Sequence, residues 1–283
     1  MYLVVVLAAA GAALADEAMR MLDNQSLDAE KRVMPQATGD SGKDHREHDL
    51  VLTRDERIAI NGNHWFSALD PCVRHDLIRS AKVQRYKSGA LISAMGGQPC
   101  YWYGCASGAV HIRTMLASGK RFSLTYVRPG VWFGDPGVFD GGRATHSAYA
   151  HGRTTVLAIS AQDFESIRLA HPDFCNAILR LQARHIRELY GRLTDVTTLS
   201  LGSRLAKQLV ALTRSHGVPV EGCGRDVRIG LSLVQDDLAQ LIGSSRQRVN
   251  TQLKQMERVG LIRWEREGLI VCDVDALVKS AAA

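Results

Sequence analysis

Between Val83 and Ile159 apolar and polar residues alternate in short runs that glycine keeps breaking: VQRYKSGALISAMGG, YWYGCASGAVHIR, KRFSLTYVRPGVWFGDPGVF and THSAYAHGRTTVLAIS. A two-residue period sends one side of each run to a core and the other to water. The segment therefore predicts short antiparallel strands closed into a barrel or roll, with Gly89, Gly96, Gly108, Gly119 and Gly130 at the turns. The period then changes. Ser160 stands as a cap before a helix over Ala161–Arg168, and His171-Pro172-Asp173 interrupts it. Beyond the break Phe174, Ile178, Leu181, Ile186, Leu189, Leu193 and Val196 recur mostly at steps of three and four, which predicts a long amphipathic helix of about six turns. A polar break at Thr197–Gly202 precedes another helix, Leu201–His216, with Leu205, Leu209 and Leu212 inward.

The most specific pattern is Val234–Val259, VQDDLAQLIGSSRQRVNTQLKQMERV. Gln235, Asp236 and Asp237 open a helix with acidic groups at its positive end. Leu238, Leu241 and Ile242 form its apolar face, and Ala239 is small enough for a second helix to cross close by. Gly243 suits the left-handed exit from that helix, and Ser244 or Ser245 can cap the next. In the second helix Val249, Leu253 and Met256 point inward, leaving Ser245, Arg246, Gln247, Asn250 and Thr251 outside. Two short helices with such a face have the layout of a helix-turn-helix DNA reader. Arginine pairs bidentately with guanine, and glutamine or asparagine with adenine; Arg248, Lys254 and Arg258 lie at angles that suit phosphates. LIRWEREGLIVC, Leu261–Cys272, reads as two strands around Glu267-Gly268, a wing beside the reader.

Composition narrows this picture. A net charge of +6 fits a polyanionic partner, and Ser203–Arg258 holds nine Lys or Arg against five Asp or Glu. Aromatics at 6% do not favour stacking on single strands. Cysteines at 72, 100, 105, 175, 223 and 272 form no CxxC, so reduced thiols are expected. Leu3–Leu14 is apolar and ends near a small-residue Ala13-Leu14-Ala15, but no Lys or Arg precedes it and it is short for a bilayer span. A start at Met19, Met21 or Met34, and a cytoplasmic protein, is the preferred reading; an exported or tethered form is the alternative. Asp16–Asp49 reads as a disordered extension.

The run DDLAQLIGSSRQRVNTQLKQMERVGLI resembles the DNA-binding end of the Crp/Fnr superfamily, through its Ala, Gly, Ser-Arg, Val and Leu positions and the closing Gly-Leu-Ile. The resemblance implies base readers at Arg246, Gln247 and Thr251, although the family often carries Glu and Arg in the last two places. The stretches Gly104–Ile112 and Pro129–Asp135 look like that family's effector roll. Cyclic-nucleotide-binding relatives read Phe-Gly-Glu, a short loop, then Arg-Ser/Thr-Ala; this chain has Phe133-Gly134-Asp135-Pro136-Gly137 and later Arg143-Ala144-Thr145-His146-Ser147-Ala148. Asp135 is shorter than Glu, Pro136 lacks an amide donor, and His146 or Thr145 replaces the phosphate-pairing Arg. The expected effector is therefore not cyclic AMP, and no cofactor is expected; Gly134, Asp135, Arg143, Thr145, His146 and Ser147 are the candidate effector residues. With no cysteine before Cys72, an N-terminal iron–sulfur cluster is not expected.

The resulting expectation is an α+β chain: an antiparallel β-roll resembling the cyclic-nucleotide-binding jelly roll, a long dimerisation helix and a C-terminal winged helix-turn-helix. The divisions are 1–49 extension, 50–168 roll, 169–198 dimer helix and 199–279 DNA-binding unit. Ser245, Arg246, Gln247, Arg248, Asn250, Thr251 and Lys254 are the expected DNA contacts; Ile178, Leu181, Ile186, Leu189 and Leu193 form the expected dimer seam. The expected partners are double-stranded DNA, a second copy of the chain, RNA polymerase and an unidentified small-molecule effector. No nucleophile elbow, P-loop or dinucleotide fingerprint points to an enzyme. The alternative is a small-molecule-sensing roll, or a cupin-like metal enzyme using His111, His146 and His151, whose C-terminal helices bind protein rather than DNA.

Overall fold

The computed structural model describes residues 51–98, 100–115, 121–222, 225–266 and 268–282. The expectations for residues 1–49 and for a turn at Gly119 lie outside the described residues. The described chain opens with helices the alternation did not announce: α1 (Arg54–Asn61), α2 (His64–Ser67) and α3 (Pro71–Ser80). Each start has a local cause. Thr53 and Glu56 form a reciprocal capping box, Asn63 accepts from the amides of Trp65 and Phe66, and Asp70 caps a helix that begins with Pro71.

The roll follows: β1 (Lys82–Tyr86), β2 (Leu91–Ser93), β3 (Tyr101–Met115), β4 (Arg121–Val127), β5 (Trp132–Phe133), a short helix α4 (Asp135–Asp140) and β6 (Ser147–Ser160). Among the described residues these strands make one antiparallel sheet with the path β1-β6-β3-β4, β2 pairing with β6 and β5 with β3. Two strands are not short. β3 runs for 15 residues and β6 for 14, because Gly108 is not a turn but a mid-strand irregularity, where the register shifts on both sides of Ser107. Its φ is +71°, and a Cβ there would fall 2.3 Å from the Arg153 carbonyl oxygen, so only glycine lets β3 bend this close to β6.

Helices α5 (Ala161–Ala170) and α6 (Pro172–Thr198) close the roll, α5 capped by Ser160 Oγ, which accepts from the Asp163 amide. Trp102 sits fully buried between them and the sheet, its ring centroid 4.4 Å from Trp132 and 5.4 Å from Phe164. Trp65 Nε1 donates to the Ala177 carbonyl at 2.9 Å and pins α2 to α6. This packing corrects the expected dimer seam. Ile178 and Leu181 are 9% and 7% exposed in the chain's own core with Trp65, Trp102 and Phe174, so they are not available to a second copy.

One buried charge ties the layers together. Glu56 receives Arg85 Nη1 at 2.8 Å, Ser107 Oγ at 3.0 Å and the Thr53 amide at 2.8 Å. Burial alone would push its pKa up; the hydrogen bonds from Arg85, Thr155, Thr53 and Ser107 outweigh that and lower it to about 2.

The C-terminal unit comprises α7 (Leu201–His216), β7 (Gly217–Pro219), β8 (Val227–Ile229), α8 (Gln235–Leu241), α9 (Arg246–Arg258), β9 (Ile262–Glu265), β10 (Gly268–Val271) and α10 (Val274–Ala282). Its strands form an antiparallel sheet in the order β7-β8-β10-β9, so the expected wing is half of a larger sheet. Leu205, Leu209, Ile229, Leu238, Val249, Leu269 and Val271 share its core. Only Leu199 and Ser200 separate α6 from α7, and Ser200 Oγ caps α7 through the Ser203 amide.

Candidate nucleic-acid interface and effector loop

Helix α8 ends as its sequence demands. Gly243 takes φ +65°, its amide reaches the Gln240 carbonyl, and the Ser244 amide reaches back to Ala239 O at 3.0 Å, a Schellman closure. Ser245, not Ser244, then caps α9, accepting from the Arg248 amide. Helix α9 ends in the same way at Gly260, φ +74°, with the Leu261 amide on Met256 O at 3.0 Å. Leu238 and Ala239 of α8 and Val249, Leu253 and Met256 of α9 are buried together, which fixes the angle between the two helices. Arg204 Nη1 donates to the Ile242 carbonyl at 3.3 Å and ties α7 to the turn.

The outer face of α9 is the feature that matters chemically. Positions 246, 247, 250, 251 and 254 fall on one side of the helix. Ser245, Arg246, Gln247, Arg248, Thr251 and Lys254 are exposed; Asn250 is half-buried and sits at the edge of this face. Among the described residues the side chains of Arg246, Gln247, Arg248, Asn250 and Lys254 engage no other group of the chain. Two basic groups elsewhere in the unit are occupied: Lys207 pairs with Asp195 at 2.6 Å, and Arg263 of the wing bridges Asp226 and Glu265. Thr251 Oγ1 donates to the Gln247 carbonyl at 3.1 Å, leaving its methyl group as the outward contact. The face thus offers unspent forks and amides where a base edge can meet them and a bare ammonium for phosphate.

Of the candidate effector residues, Gly134 and Asp135 open α4 after β5, while Arg143, Thr145, His146 and Ser147 lead from it into β6. Gly134 adopts φ +86° ahead of α4, and Asp135 is the first residue of that helix. Arg143 is exposed and donates through Nη1 to the Gly96 carbonyl at 2.7 Å. His146 Nδ1 lies 2.9 Å from Thr145 Oγ1, while Ser147 Oγ accepts from the Met95 amide at 2.9 Å. Burial lowers the pKa of His146 below its ordinary 6.5, which favours its neutral form. Among the described residues no three His, Cys, Asp or Glu side chains are grouped so that they could hold a metal ion, and His111, His146 and His151 do not converge. Cys72, Cys100, Cys105, Cys175 and Cys272 are free thiols; Cys105 is fully buried, which pushes its pKa up to about 12, whereas Cys100 is exposed. No helix among the described residues is long and apolar enough to cross a membrane.

The profile of the Crp-like helix-turn-helix domain matches residues 203–280, and that of the cyclic nucleotide-binding domain matches residues 83–171. The chain belongs to the Crp/Fnr family of transcription regulators. This Crp/Fnr chain is 28% identical over 227 residues to the CRP-like cAMP-activated global transcriptional regulator of Mycobacterium tuberculosis, covering 80% of this chain and 99% of that protein. It is 22% identical over 222 residues to the cAMP-activated global transcriptional regulator CRP of Haemophilus influenzae, covering 78% and 96%. Among solved structures, FixK2 from Bradyrhizobium japonicum shares its fold at TM-score 0.62 and 20% identity, over 72% of this chain and 98% of that one. TTHA1359, a CRP/FNR family regulator from Thermus thermophilus, does so at TM-score 0.60 and 23% identity, over 71% and 99%. These relatives are regulators and not enzymes. Within the Crp/Fnr frame, sequence reasoning missed Arg204, which locks the turn between the helices. It also missed α1–α3, whose capping residues were the available signal.

Proposed function

We propose that the chain is a sequence-specific DNA-binding regulator that works as a homodimer on an inverted repeat, under a signal received by the roll. The observation that carries this reading is the exposed, unpaired polar and basic face of α9, on a helix whose opposite side is anchored in the core. Arg246, Gln247 and Thr251 read bases; Arg248 and Lys254 hold the backbone, with Ser245 and Asn250 at the margins of the contact. Dimerisation runs along the free half of α6. Leu179, Ile186 and Leu193 repeat at seven residues, as do Leu189 and Val196, and all five are between 36% and 65% exposed. That heptad stripe suits a two-stranded seam and replaces Ile178 and Leu181. RNA polymerase is the natural further partner of such a regulator.

We further propose that the signal is not cyclic AMP. Arg143 is the lone arginine of the loop 140–147 and is engaged with Gly96 O, and the phosphate-pairing position is held by His146, whose neutral form burial favours, or by the uncharged Thr145. A purified-protein gel shift tests both parts. Affinity for a selected duplex should fall steeply with salt, as counter-ion release requires. Arg246→Ala should cost about 1–3 kcal/mol on that duplex and little on random DNA. Addition of cyclic AMP should leave the curve in place. Equal losses on both duplexes would reduce Arg246 to a phosphate contact, and a micromolar response to cyclic AMP would contradict the effector proposal.

A further inference from the structure

The C-terminal unit is held by more than its short tether to α6. Ala109 of β3 and Tyr126 of β4 share one apolar core with Leu205, Leu238 and Ile242, so α8 rests on strand β4 of the roll. A line of polar contacts crosses the same junction. His111 Nε2 lies 2.8 Å from Ser123 Oγ, Ser123 Oγ donates to Gln240 Oε1 at 3.2 Å, and Gln240 Nε2 donates to Asp236 Oδ2 at 2.7 Å. A hydroxyl has one proton, so a Ser123 that donates to Gln240 accepts from His111, which sets the proton of the imidazole on Nε2. His111 is kept neutral, its pKa lowered to about 4 by burial and then by Arg113 and His151. Its ring stacks on Tyr126 at 4.3 Å, and Tyr126 meets His151 edge-on at 5.0 Å. The same strand reaches the long helix, since Arg192 Nη1 of α6 donates to the Leu124 carbonyl at 2.9 Å. Strand β4 therefore touches the roll, the long helix and the first helix of the reader pair.

Apolar contact alone lets one body slide over another. Hydrogen bonds are directional, and Ser123 is fully buried, so any slip of α8 leaves polar groups unpaired. We propose that Ser123 and Gln240 are positioning residues for DNA recognition: strand β4 is the platform that sets the angle of the reader helix, and the roll acts on the DNA through it. This rests on the reading of α9 as the DNA contact. Two reader helices must enter grooves about 34–36 Å apart, so a small rotation of each unit spoils the fit to a full inverted repeat but not to an isolated half-site.

The test uses full-length protein with Ser123→Ala, Gln240→Ala and the double variant, titrated against a selected inverted repeat and against a single half-site. Amide exchange over residues 235–241 is followed in the free protein. Each single variant should bind the repeat roughly 2- to 30-fold more weakly, the span typical of coupling through packed networks. The double variant should add little to the worse single, the half-site should be bound as before, and exchange over α8 should rise. Unchanged affinity for the repeat overturns the proposal whatever the exchange shows. So do equal losses on repeat and half-site, which mark general destabilisation, and so does tighter binding, which would make the contact a restraint. A wild-type protein that prefers no duplex would sink the reading of α9 and this proposal with it; a wild-type that binds, with variants to match, would sink this proposal alone.

Discussion

At the scale of single residues, Glu56 joins α1, β1 and β3 through one carboxylate. Its folded pKa of about 2 stands below the ordinary 4.5, so the fold favours the ionised form. The stability it contributes is complete above pH 4.5 and is lost as the pH falls from 4.5 towards 2. His111, which is buried, and His216, which is half-buried, act in a higher window. Burial lowers His111 and His216 to about 4 from 6.5, with Arg113 and His151 adding to the first and Arg128 and His151 to the second. The fold resists their protonation, so their contribution is complete above pH 6.5 and is lost on the way down to 4. Acid unfolding should therefore show two legs in a urea titration repeated across pH. His111→Gln should flatten part of the upper leg, and Glu56→Gln should remove the lower one while costing about 1.5–3 kcal/mol at neutral pH. A His111→Gln protein with the wild-type slope between pH 6.5 and 4 would contradict this assignment. Little of it was legible beforehand. Thr53 and Glu56 stand at capping-box spacing, but the sequence does not say that Arg85 and Ser107 arrive from 29 and 51 residues away. By contrast, Gly243, Ser245 and Val249 act through neighbours three to five residues off, and local chemistry announces them.

At the scale of elements, α6 shows where periodicity stops informing. An apolar residue every three or four positions says that a face is buried, not what buries it. Trp65 and Trp102 are remote in sequence, and they claim Ile178 and Leu181 for the chain's own core. The exposed stripe from Leu179 to Val196 is visible only once those two are accounted for. Introducing charge there, as Ile186→Glu with Leu189→Glu, should leave the fold intact, because both side chains are solvated in the single chain, and should convert the species seen by sedimentation from dimer to monomer. A double variant that sediments as the wild type would place the seam elsewhere. The strands were misjudged for a related reason. Gly108 reads as a turn residue, yet it takes positive φ in mid-strand, as Gly152 does in β6, and neither ends its strand. The helix pair α8–α9 was legible almost to the residue, since caps, small residue and exit glycine all lie within it.

At the scale of the whole molecule, the roll and the C-terminal unit share the long helix α6 and the strand β4. The fold class could be read from the switch between periods of two and three-to-four. The contact between the halves could not, because Ser123 and Gln240 are 117 residues apart and nothing in the helix-turn-helix pattern marks Gln240 for a partner in the roll. Such an arrangement would let a change in the roll reach α9 by two routes, and the proposed function has α9 facing DNA beside a symmetry-related copy. Selection of duplexes from a random pool by the purified full-length protein tests that most directly. Enrichment of an inverted repeat whose half-sites are centred about one helical turn apart, 10–10.5 base pairs, is the predicted result. A pool that emerges without any enriched sequence, or with a single unrepeated site bound by one chain, would contradict it.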